Sequence, residues 1–305
     1  MKIKERLIDA AFWLAWNVLW LLPESLTRGG FNLAAEIMWR IKARPVLQLQ
    51  ANLARLLDLN PDDSQIRTLS RKAIKAGMRY YAETFVLGRW SPSEIRSHVR
   101  VENETEVFAA VKKGGVVLTL PHSGNWDLAG AWAAQEFGSL CTVAERLRPE
   151  GVYRKFLALR QKVGMDLMPI RSEAGVYEFL RANLRDGKVI ALMGDRDVAK
   201  SGMSNLYCGH KGSFPIGSAL LAIDTGAPLF ACATYFDGKQ LVIRFSAQIP
   251  IENVGVTGRD RLREAQKVTG TVLTHFEEFL RAHPESWHQL QPIWPDLNVR
   301  FASAS

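Results

Sequence analysis

The second half of the chain alternates short apolar runs with longer amphipathic segments. The apolar runs predict five strands, at residues 116–120, 140–144, 189–193, 228–236 and 240–247, the last two joined by an Asp-Gly hairpin turn. Between and after them, apolar positions three and four residues apart predict helices at residues 125–137, 149–163, 175–185, 216–225 and 261–282. This alternation predicts an α/β fold, in which a mostly parallel sheet is flanked by helices and carries an antiparallel hairpin at one edge.

In residues 24–100 the apolar positions recur only at the spacing that is typical of helices. Apolar positions recur at helical spacing in residues 26–41, 46–57 and 66–87, which predicts a helical layer in front of an α/β core formed by residues 101–305. Because no repeat and no low-complexity linker interrupts residues 24–305, they are predicted to fold as one domain. Four polar or aromatic residues of the third helix are expected on a solvated face, the alternative being that they line a site: Arg79, Tyr80, Tyr81 and Glu83.

The N-terminus carries three basic residues and then an apolar run over residues 7–22 that ends at Pro23. This run is short for a membrane span, which needs about 20 residues, and no signal-peptide cleavage site follows it. Its aromatic residues recur at helical spacing, and tryptophan favours the membrane interface. Residues 1–23 are therefore predicted to form an interfacial membrane helix, with a core helix and a true span as alternatives.

Composition adds a basic surface to this picture. The chain has 305 residues, of which 47% are hydrophobic, and 39 Lys and Arg residues exceed 31 Asp and Glu residues to give a net charge of +8. Such a surface suits anionic lipid headgroups, a phosphate-rich acyl carrier or nucleic acid. No nucleic-acid partner is predicted, because the tryptophans concentrate at the N-terminus instead of lying between the basic residues. The three cysteines have neither paired nor metal-like spacing.

The junction of the first predicted strand and the following helix reads Leu-Thr-Leu-Pro-His-Ser-Gly-Asn-Trp-Asp, at residues 118–127. It places His122 at the rim of the sheet. A carboxylate bonded to one imidazole nitrogen fixes the tautomer and leaves the other nitrogen free to accept a proton, as a general base requires. Local spacing favours Asp127 as that carboxylate. The alternative is that both residues only cap the helix.

Further ionisable residues follow the other predicted strands. Glu145 and Arg146 come after the second strand, and the run Asp195-Arg196-Asp197 comes after the third. Because ligands of open α/β sheets bind outside the carboxyl ends of the strands, these residues predict a single site, the alternative being loop charges in water. A metal pair at residues 195 and 197 is not favoured, since an arginine separates them and no third carboxylate is near. Arg160 belongs to a basic group at residues 146–160 that would suit the diphosphate of acyl-CoA, or would simply be a charged helix face.

The box at residues 121–127 resembles the His-x-x-x-x-Asp box of glycerolipid-type O-acyltransferases. Its Gly-Asn-Trp-Asp form is similar to the lipid A late-acyltransferase branch and, within it, to the mycobacterial-type phosphatidylinositol mannoside acyltransferases. Three further blocks support the resemblance, Val-Ala-Glu-Arg-Leu at 143–147, Gly-Asp-Arg-Asp at 194–197 and Phe-Pro-Ile-Gly at 214–217. Together the blocks cover roughly residues 100–235 in family order.

The resemblance implies direct acyl transfer with no metal and no other cofactor. His122 would take the proton of a mannose hydroxyl on a phosphoinositide glycolipid, and palmitoyl-CoA would be the acyl donor, on the cytoplasmic face of the plasma membrane. The family places an acidic residue near Asp195, although as Glu, so Asp195 competes with Asp127 to orient the histidine. The block that begins at Phe214 lies at the acyl and acceptor site in the family. Together with the strand-end residues Glu145, Arg146 and Arg196 and with Arg160 of the basic group, Phe214 is predicted to bind substrate. A lipid A type acyltransferase using acyl-carrier protein, a non-catalytic membrane-binding module and an Asp-based metal hydrolase are the alternatives.

Overall fold

The computed structural model describes residues 18–144, 150–169 and 173–297. Its helices are α1 (Glu24–Arg40), α2 (Arg44–Leu57), α3 (Ser64–Leu87), α4 (Pro92–Ser97), α5 (Thr105–Val111), α6 (Trp126–Glu136), α7 (Glu150–Lys162), α8 (Glu173–Arg185), α9 (Gly217–Thr225) and α10 (Gly258–Ala282). Its strands are β1 (Val99–Glu102), β2 (Val116–Leu120), β3 (Leu140–Ala144), β4 (Met165–Pro169), β5 (Val189–Met193), β6 (Met203–Tyr207), β7 (His210–Phe214), β8 (Leu229–Asp237) and β9 (Gln240–Phe245). Short 3-10 helices lie at Pro284–Ser286 and Pro295–Leu297.

The central sheet has the strand order β1-β9-β8-β2-β5-β3-β4. Strands β8, β2, β5, β3 and β4 run parallel, β9 returns antiparallel to β8, and β1 pairs with β9 in parallel. The predicted α/β class, with its mostly parallel sheet and antiparallel hairpin, is confirmed. All five predicted strands form, three of them with the predicted bounds, because long runs of buried β-branched and apolar residues leave little ambiguity.

Four strands were not predicted. β1 has only four residues and lies outside the hairpin, so it is the outermost strand of the sheet. β4 contains an aspartate and ends at a proline, both unfavourable in strands. β6 and β7 form a separate two-stranded hairpin against α10, where β6 alternates exposed and more buried side chains. Such a half-exposed hairpin gives a weak apolar signal.

The sheet is covered on both faces. Alternate side chains of one strand point to opposite faces, so Val117 of β2 packs towards α8, α9 and α10, whereas Leu118 packs towards α6. Helices α2 and α3 join the first of these two cores, which also contains Trp287 and Trp294 near the C-terminus. The predicted extent of the domain, residues 24–305, stays a prediction.

Most of the predicted interfacial helix lies outside the described residues. Residues 18–21 are helical and precede α1, and Leu21 among them is 80% exposed. Across residues 18–144, 150–169 and 173–297, no helix has both the length and the apolar content that a membrane span requires.

The start of β2 depends on one close approach of two backbones. A Cβ atom on Gly115 would lie 2.1 Å from the carbonyl oxygen of Leu184, the next-to-last residue of α8. Gly115→Ala should therefore lower the free energy of unfolding by about 1–3 kcal/mol, the usual cost of overpacking. Chemical denaturation measures this change. Gly29→Ala is the matched control, because nothing lies within 4 Å of its Cβ position in α1, and it should be stabilising. Equal effects of the two substitutions would contradict the close approach.

Candidate active site

Two neighbouring parallel strands bring His122 and Asp195 together. Leu120 at the end of β2 lies opposite Met193 at the end of β5, and each of the two site residues follows its strand end by two positions. The Nδ1 atom of His122 lies 2.6 Å from Asp195 Oδ1, and the backbone N–H of His122 donates to Asp195 Oδ2 at 2.9 Å. The carboxylate therefore holds both the ring and the backbone of the histidine.

Asp195 is fully buried and stays ionised. Burial alone would raise its pKa, but the charge of His122 and hydrogen bonds from His122 and Trp287 together lower the pKa of Asp195 below its usual value. The Trp287 donor is its indole Nε1, 3.3 Å from Asp195 Oδ2. A buried carboxylate with these donors fixes the hydrogen on His122 Nδ1, which leaves Nε2 as the basic nitrogen.

The structure does not bring Asp127 to His122. Asp127 instead accepts hydrogen bonds from the Tyr80 hydroxyl at 2.8 Å and from Arg160 Nε at 2.6 Å. The preference that local spacing gave to Asp127 is therefore corrected in favour of Asp195. The physical reason is the direction of α6, since Asp127 lies in its first turn and points to α3 and α7, away from the rim where β5 ends.

Burial sets the charge state of the cluster around Asp127. Burial and the charge of Asp127 raise the pKa of Tyr80 well above its usual value, so the phenol keeps its hydrogen and donates it. Burial would lower the pKa of Arg160, but the charge of Asp127 raises it. The cluster is thus an ion pair with one neutral hydroxyl, and it lies at the wall of the cavity beside His122.

Side chains of α3 fix the beginning of α6. Asn125 caps α6 by accepting from the N–H of Leu128, and its amide donates to Glu83 at 2.9 Å. Glu83 in turn pairs with Arg79 at 2.6 Å. The expectation of a solvated face for these α3 residues is wrong for Tyr80 and Glu83, which are 3% and 2% exposed. The helical period of α3 could not show that polar residues at the start of α6 pack over Tyr80 and Glu83.

The C-terminal segment after α10 completes the site and was not predicted. Trp287 pairs with Ser123 in a β-bridge, and the N–H of His288 donates to the carbonyl of His122 at 2.8 Å. The side chain of Asn52 in α2 donates to the carbonyls of Gln289 and Gln291, which holds the segment in place. No periodic signal marks residues 284–291, and only the tryptophan and one leucine of this mostly polar stretch suggest that it is buried.

A cavity of about 1130 Å³ opens beside His122. Its volume exceeds the range of about 300–1,000 Å³ that is usual for small-molecule sites, so it can hold a large ligand. Of the predicted substrate-binding residues, Arg160 and Arg196 line it. Phe214 does not: it is fully buried at the end of β7 with its ring 5.5 Å from that of Tyr207, and Ile216 lines the cavity in its place. Glu145 and Arg146 lie outside the described residues.

The carboxylate of Asp197 bonds to groups other than His122. It accepts from the hydroxyl of Ser213 at 2.7 Å and from the N–H of Gly202 at 3.0 Å, which ties the loop after β5 to the β6–β7 hairpin. Within the described part of the chain, no group of three His, Cys, Asp or Glu residues is placed to hold a metal ion.

Residues 2–295 match the model of the family described as bacterial lipid A biosynthesis acyltransferase. The chain belongs to this acyltransferase family. The resemblance carried by the His box and the three further blocks is thereby confirmed, as is the prediction of an acyltransferase.

Relatives of this acyltransferase include two mycobacterial enzymes. The phosphatidylinositol mannoside acyltransferase of Mycolicibacterium smegmatis is 33% identical over 288 residues, which is 94% of this chain and 91% of the relative. That of Mycobacterium tuberculosis H37Rv is 31% identical over 290 residues, 94% and 88% of the two chains. Among solved structures, the 1-acyl-sn-glycerophosphate (LPA) acyltransferase PlsC of Thermotoga maritima matches with a TM-score of 0.37 and 16% identity, covering 81% of this chain and 99% of that chain.

Neutralising Asp195 should affect catalysis, whereas neutralising Asp127 should affect stability. Asp195→Asn removes the charge that holds His122, so kcat of the acyltransferase should fall by at least about 100-fold. Asp127→Asn leaves Arg160 without its ion-pair partner, so it should chiefly lower Tm. Steady-state kinetics and thermal unfolding of both variants measure the difference. A larger loss of kcat in Asp127→Asn, with Tm unchanged in both, would reverse the assignment.

His288 should make the acyltransferase sensitive to acid. Burial lowers the pKa of His288 from 6.5 to about 4, partly opposed by its hydrogen bond to the carbonyl of Gly124. The unfolded chain therefore binds this proton more readily, and stability should be lost as pH falls from 6.5 towards 4, by at most about 3 kcal/mol. Unfolding of the wild type and His288→Gln across this window measures the effect. Parallel pH profiles for the two proteins would contradict it.

Proposed function

We propose that this acyltransferase moves a palmitoyl-type chain from acyl-CoA to a mannose hydroxyl of a phosphatidylinositol mannoside. The observation that carries the proposal is the His122–Asp195 pair at the mouth of a large, mainly apolar cavity. The names of the two mycobacterial relatives support the glycolipid acceptor.

His122 acts as the general base in one acyl-transfer step. Its Nε2 takes the proton of the acceptor hydroxyl, and the oxygen attacks the thioester carbonyl. The tetrahedral intermediate then collapses and the carbon–sulfur bond breaks. His122 returns the proton to the leaving sulfur, so coenzyme A leaves as its thiol. Asp195 stays ionised throughout and stabilises the imidazolium between the two proton transfers.

The transfer needs no acyl-enzyme intermediate. Ser123, next to the base, is buried, and its hydroxyl oxygen accepts from the N–H of Thr234 at 3.2 Å. Burial raises the pKa of Cys232, a thiol in the cavity wall, to about 12, so it stays protonated and is a poor nucleophile. The nucleophile is therefore the hydroxyl of the acceptor.

Helix α1 supports a peripheral membrane contact. It exposes an apolar stripe at helical spacing, in which Leu26, Leu33, Ile37 and the adjoining Ile41 are 50–69% exposed. Lys42 and Arg44 follow the stripe and are exposed as well. Apolar area flanked by basic charge binds anionic lipid, which is where a glycolipid acceptor is found. The cytoplasmic face of the plasma membrane is part of this proposal.

The membrane contact is tested with vesicles that contain anionic lipid. Leu33→Glu should weaken binding at least about tenfold, because it removes a leucine that the bilayer would bury and adds a charge that the anionic surface repels. Leu206→Glu is a matched control, since Leu33 and Leu206 are both 62% exposed and Leu206 lies on the β6–β7 hairpin. Equal loss of sedimentation in both variants would place the contact elsewhere.

Catalysis by His122 is tested by its removal. His122→Ala should lower turnover with palmitoyl-CoA and a phosphatidylinositol mannoside by at least about 100-fold, the lower range for loss of a general base, without unfolding the protein. His275→Ala, on α10, is the control and should keep its rate. A near wild-type rate in His122→Ala would refute the proposed mechanism.

The description of the family favours a second candidate, a lipid A type enzyme. For this candidate we propose acyl-carrier protein as the acyl donor. The purified wild type separates the two when each donor is offered with each acceptor. Transfer from acyl-CoA to the mannoside supports the first candidate, and transfer from acyl-carrier protein alone to a lipid A precursor supports the second.

A further inference from the structure

Helix α9 begins at the wall of the large active-site cavity without a side-chain cap. Its N-cap residue is Ile216, and the first bond of the helix runs from the N–H of Leu220 to the carbonyl of Ile216 at 2.9 Å. Among the described residues, nothing accepts from the N–H groups of Gly217, Ser218 and Ala219. Because the first N–H groups of a helix usually find a partner, these three donors indicate where a ligand can bind.

The hydroxyl of Ser218 is a second, independent sign of a ligand at this place. Only 7% of Ser218 is exposed and the residue lines the cavity, yet its hydroxyl has no hydrogen-bond partner within the described part of the chain. Its oxygen is accessible, in contrast to the unpaired hydroxyl oxygen of Thr119, which is fully enclosed. A buried hydroxyl without a partner costs free energy, so a ligand that accepts from Ser218 would bind favourably.

Gly217 leaves room in front of these donors. A Cβ atom on Gly217 would meet nothing within 4 Å, although the residue lines the cavity. Its backbone does not require glycine, whereas Gly226 at the other end of α9 has a φ of +72°. The missing side chain therefore opens a space directly beside the three N–H groups and the serine hydroxyl.

The charges around this space favour an anion. The beginning of a helix carries a partial positive charge, and the guanidinium side chain of Arg196 lines the same cavity. Two carboxylates line the cavity as well, but both already have partners. Glu178 pairs with Arg181 at 2.9 Å, and Asp197 accepts two hydrogen bonds from the loop after β5 and the β6–β7 hairpin.

We infer that the beginning of α9 binds a phosphate group of a substrate. The donors are the N–H groups of Gly217, Ser218 and Ala219 and the hydroxyl of Ser218, a set of the kind that holds phosphate at other helix N-termini. The inference rests on the proposed function, in which both substrates carry phosphate. The acceptor has a phosphodiester next to its inositol, and the donor has the phosphates of coenzyme A.

Gly217→Asp and Gly217→Asn test the site with side chains of nearly equal volume. Both fill the space beside the donors, but only Asp adds a negative charge, which the beginning of a helix tolerates well, so the fold should persist. Repulsion between like charges should make KM for the substrate that supplies the phosphate at least about tenfold higher in Gly217→Asp than in Gly217→Asn. Thr105→Asp, at the exposed first residue of α5, makes the same charge change away from the cavity and should keep the wild-type KM.

Substrates without phosphate identify the source. The acceptor arm compares a phosphatidylinositol mannoside with a mannosyl diacylglycerol, and the donor arm compares acyl-CoA with S-acyl pantetheine. The excess KM of Gly217→Asp over Gly217→Asn should appear in one arm, with the phosphate-bearing substrate, and be absent with its phosphate-free analogue. Equal KM values of the two folded variants for all four substrates overturn the inference, while the proposed function stands.

Phosphorus-31 NMR of inorganic phosphate tests the site without turnover. The wild type and Thr105→Asp should broaden the phosphate signal by exchange, and Gly217→Asp should broaden it much less. Equal broadening by Gly217→Asp and the wild type overturns the phosphate site. A wild type that transfers no chain from acyl-CoA to the mannoside, but differs from Gly217→Asp in this broadening, overturns the proposed function and supports the site.

Discussion

The site depends on the register of two neighbouring parallel strands. Leu120 and Met193 lie opposite each other, and the N–H of Gly194 donates to the carbonyl of Leu120 at 2.9 Å, just beyond the last pair. Each strand continues for two more residues beyond Leu120 and Met193, which places the imidazole of His122 against the carboxylate of Asp195. A slip of one residue in either strand would turn its side chain to the other face of the sheet and separate the pair, so the chemistry depends on the register between β2 and β5.

Burying the charged carboxylate of Asp195 costs free energy, and hydrogen bonds from the surrounding residues offset this cost. An ionised carboxylate out of contact with water is unfavourable by several kcal/mol unless donors surround it. Here the backbone N–H and the ring of His122 supply two donors and Trp287 supplies the third. Since Trp287 comes from the C-terminal segment and Asn52 of α2 holds that segment, helix α2 supports the active site from a distance.

Prediction from the sequence succeeded where one local pattern decides the structure. Strands β2, β3 and β5 were predicted with their observed bounds, because each is a continuous apolar run, and the rim argument placed His122 and Asp195 at one edge. The choice between Asp127 and Asp195 was not decided by spacing, since it depends on which strand lies next to β2. Chain order puts β3 after β2, whereas the sheet inserts β5 between them.

What the sequence could not show are contacts between distant segments. The helical period alone places Tyr80 and Glu83 on a solvated helix face, but they are buried where α6 packs against α3. Trp287 reaches Asp195 across 92 positions of the chain. Phe214 was assigned to a binding block, but a hairpin too polar to predict turns its side chain into the core.

The tautomer of His122 tests the central claim most directly. Nitrogen-15 NMR of histidine-labelled protein, with the His122 signal assigned from its loss in His122→Gln, shows which ring nitrogen carries hydrogen in the neutral form. The account predicts hydrogen on Nδ1, held by Asp195, and a bare Nε2 facing the cavity. Hydrogen on Nε2 with a bare Nδ1 would contradict it, because the nitrogen next to the substrate would then have no free electron pair with which to act as a base.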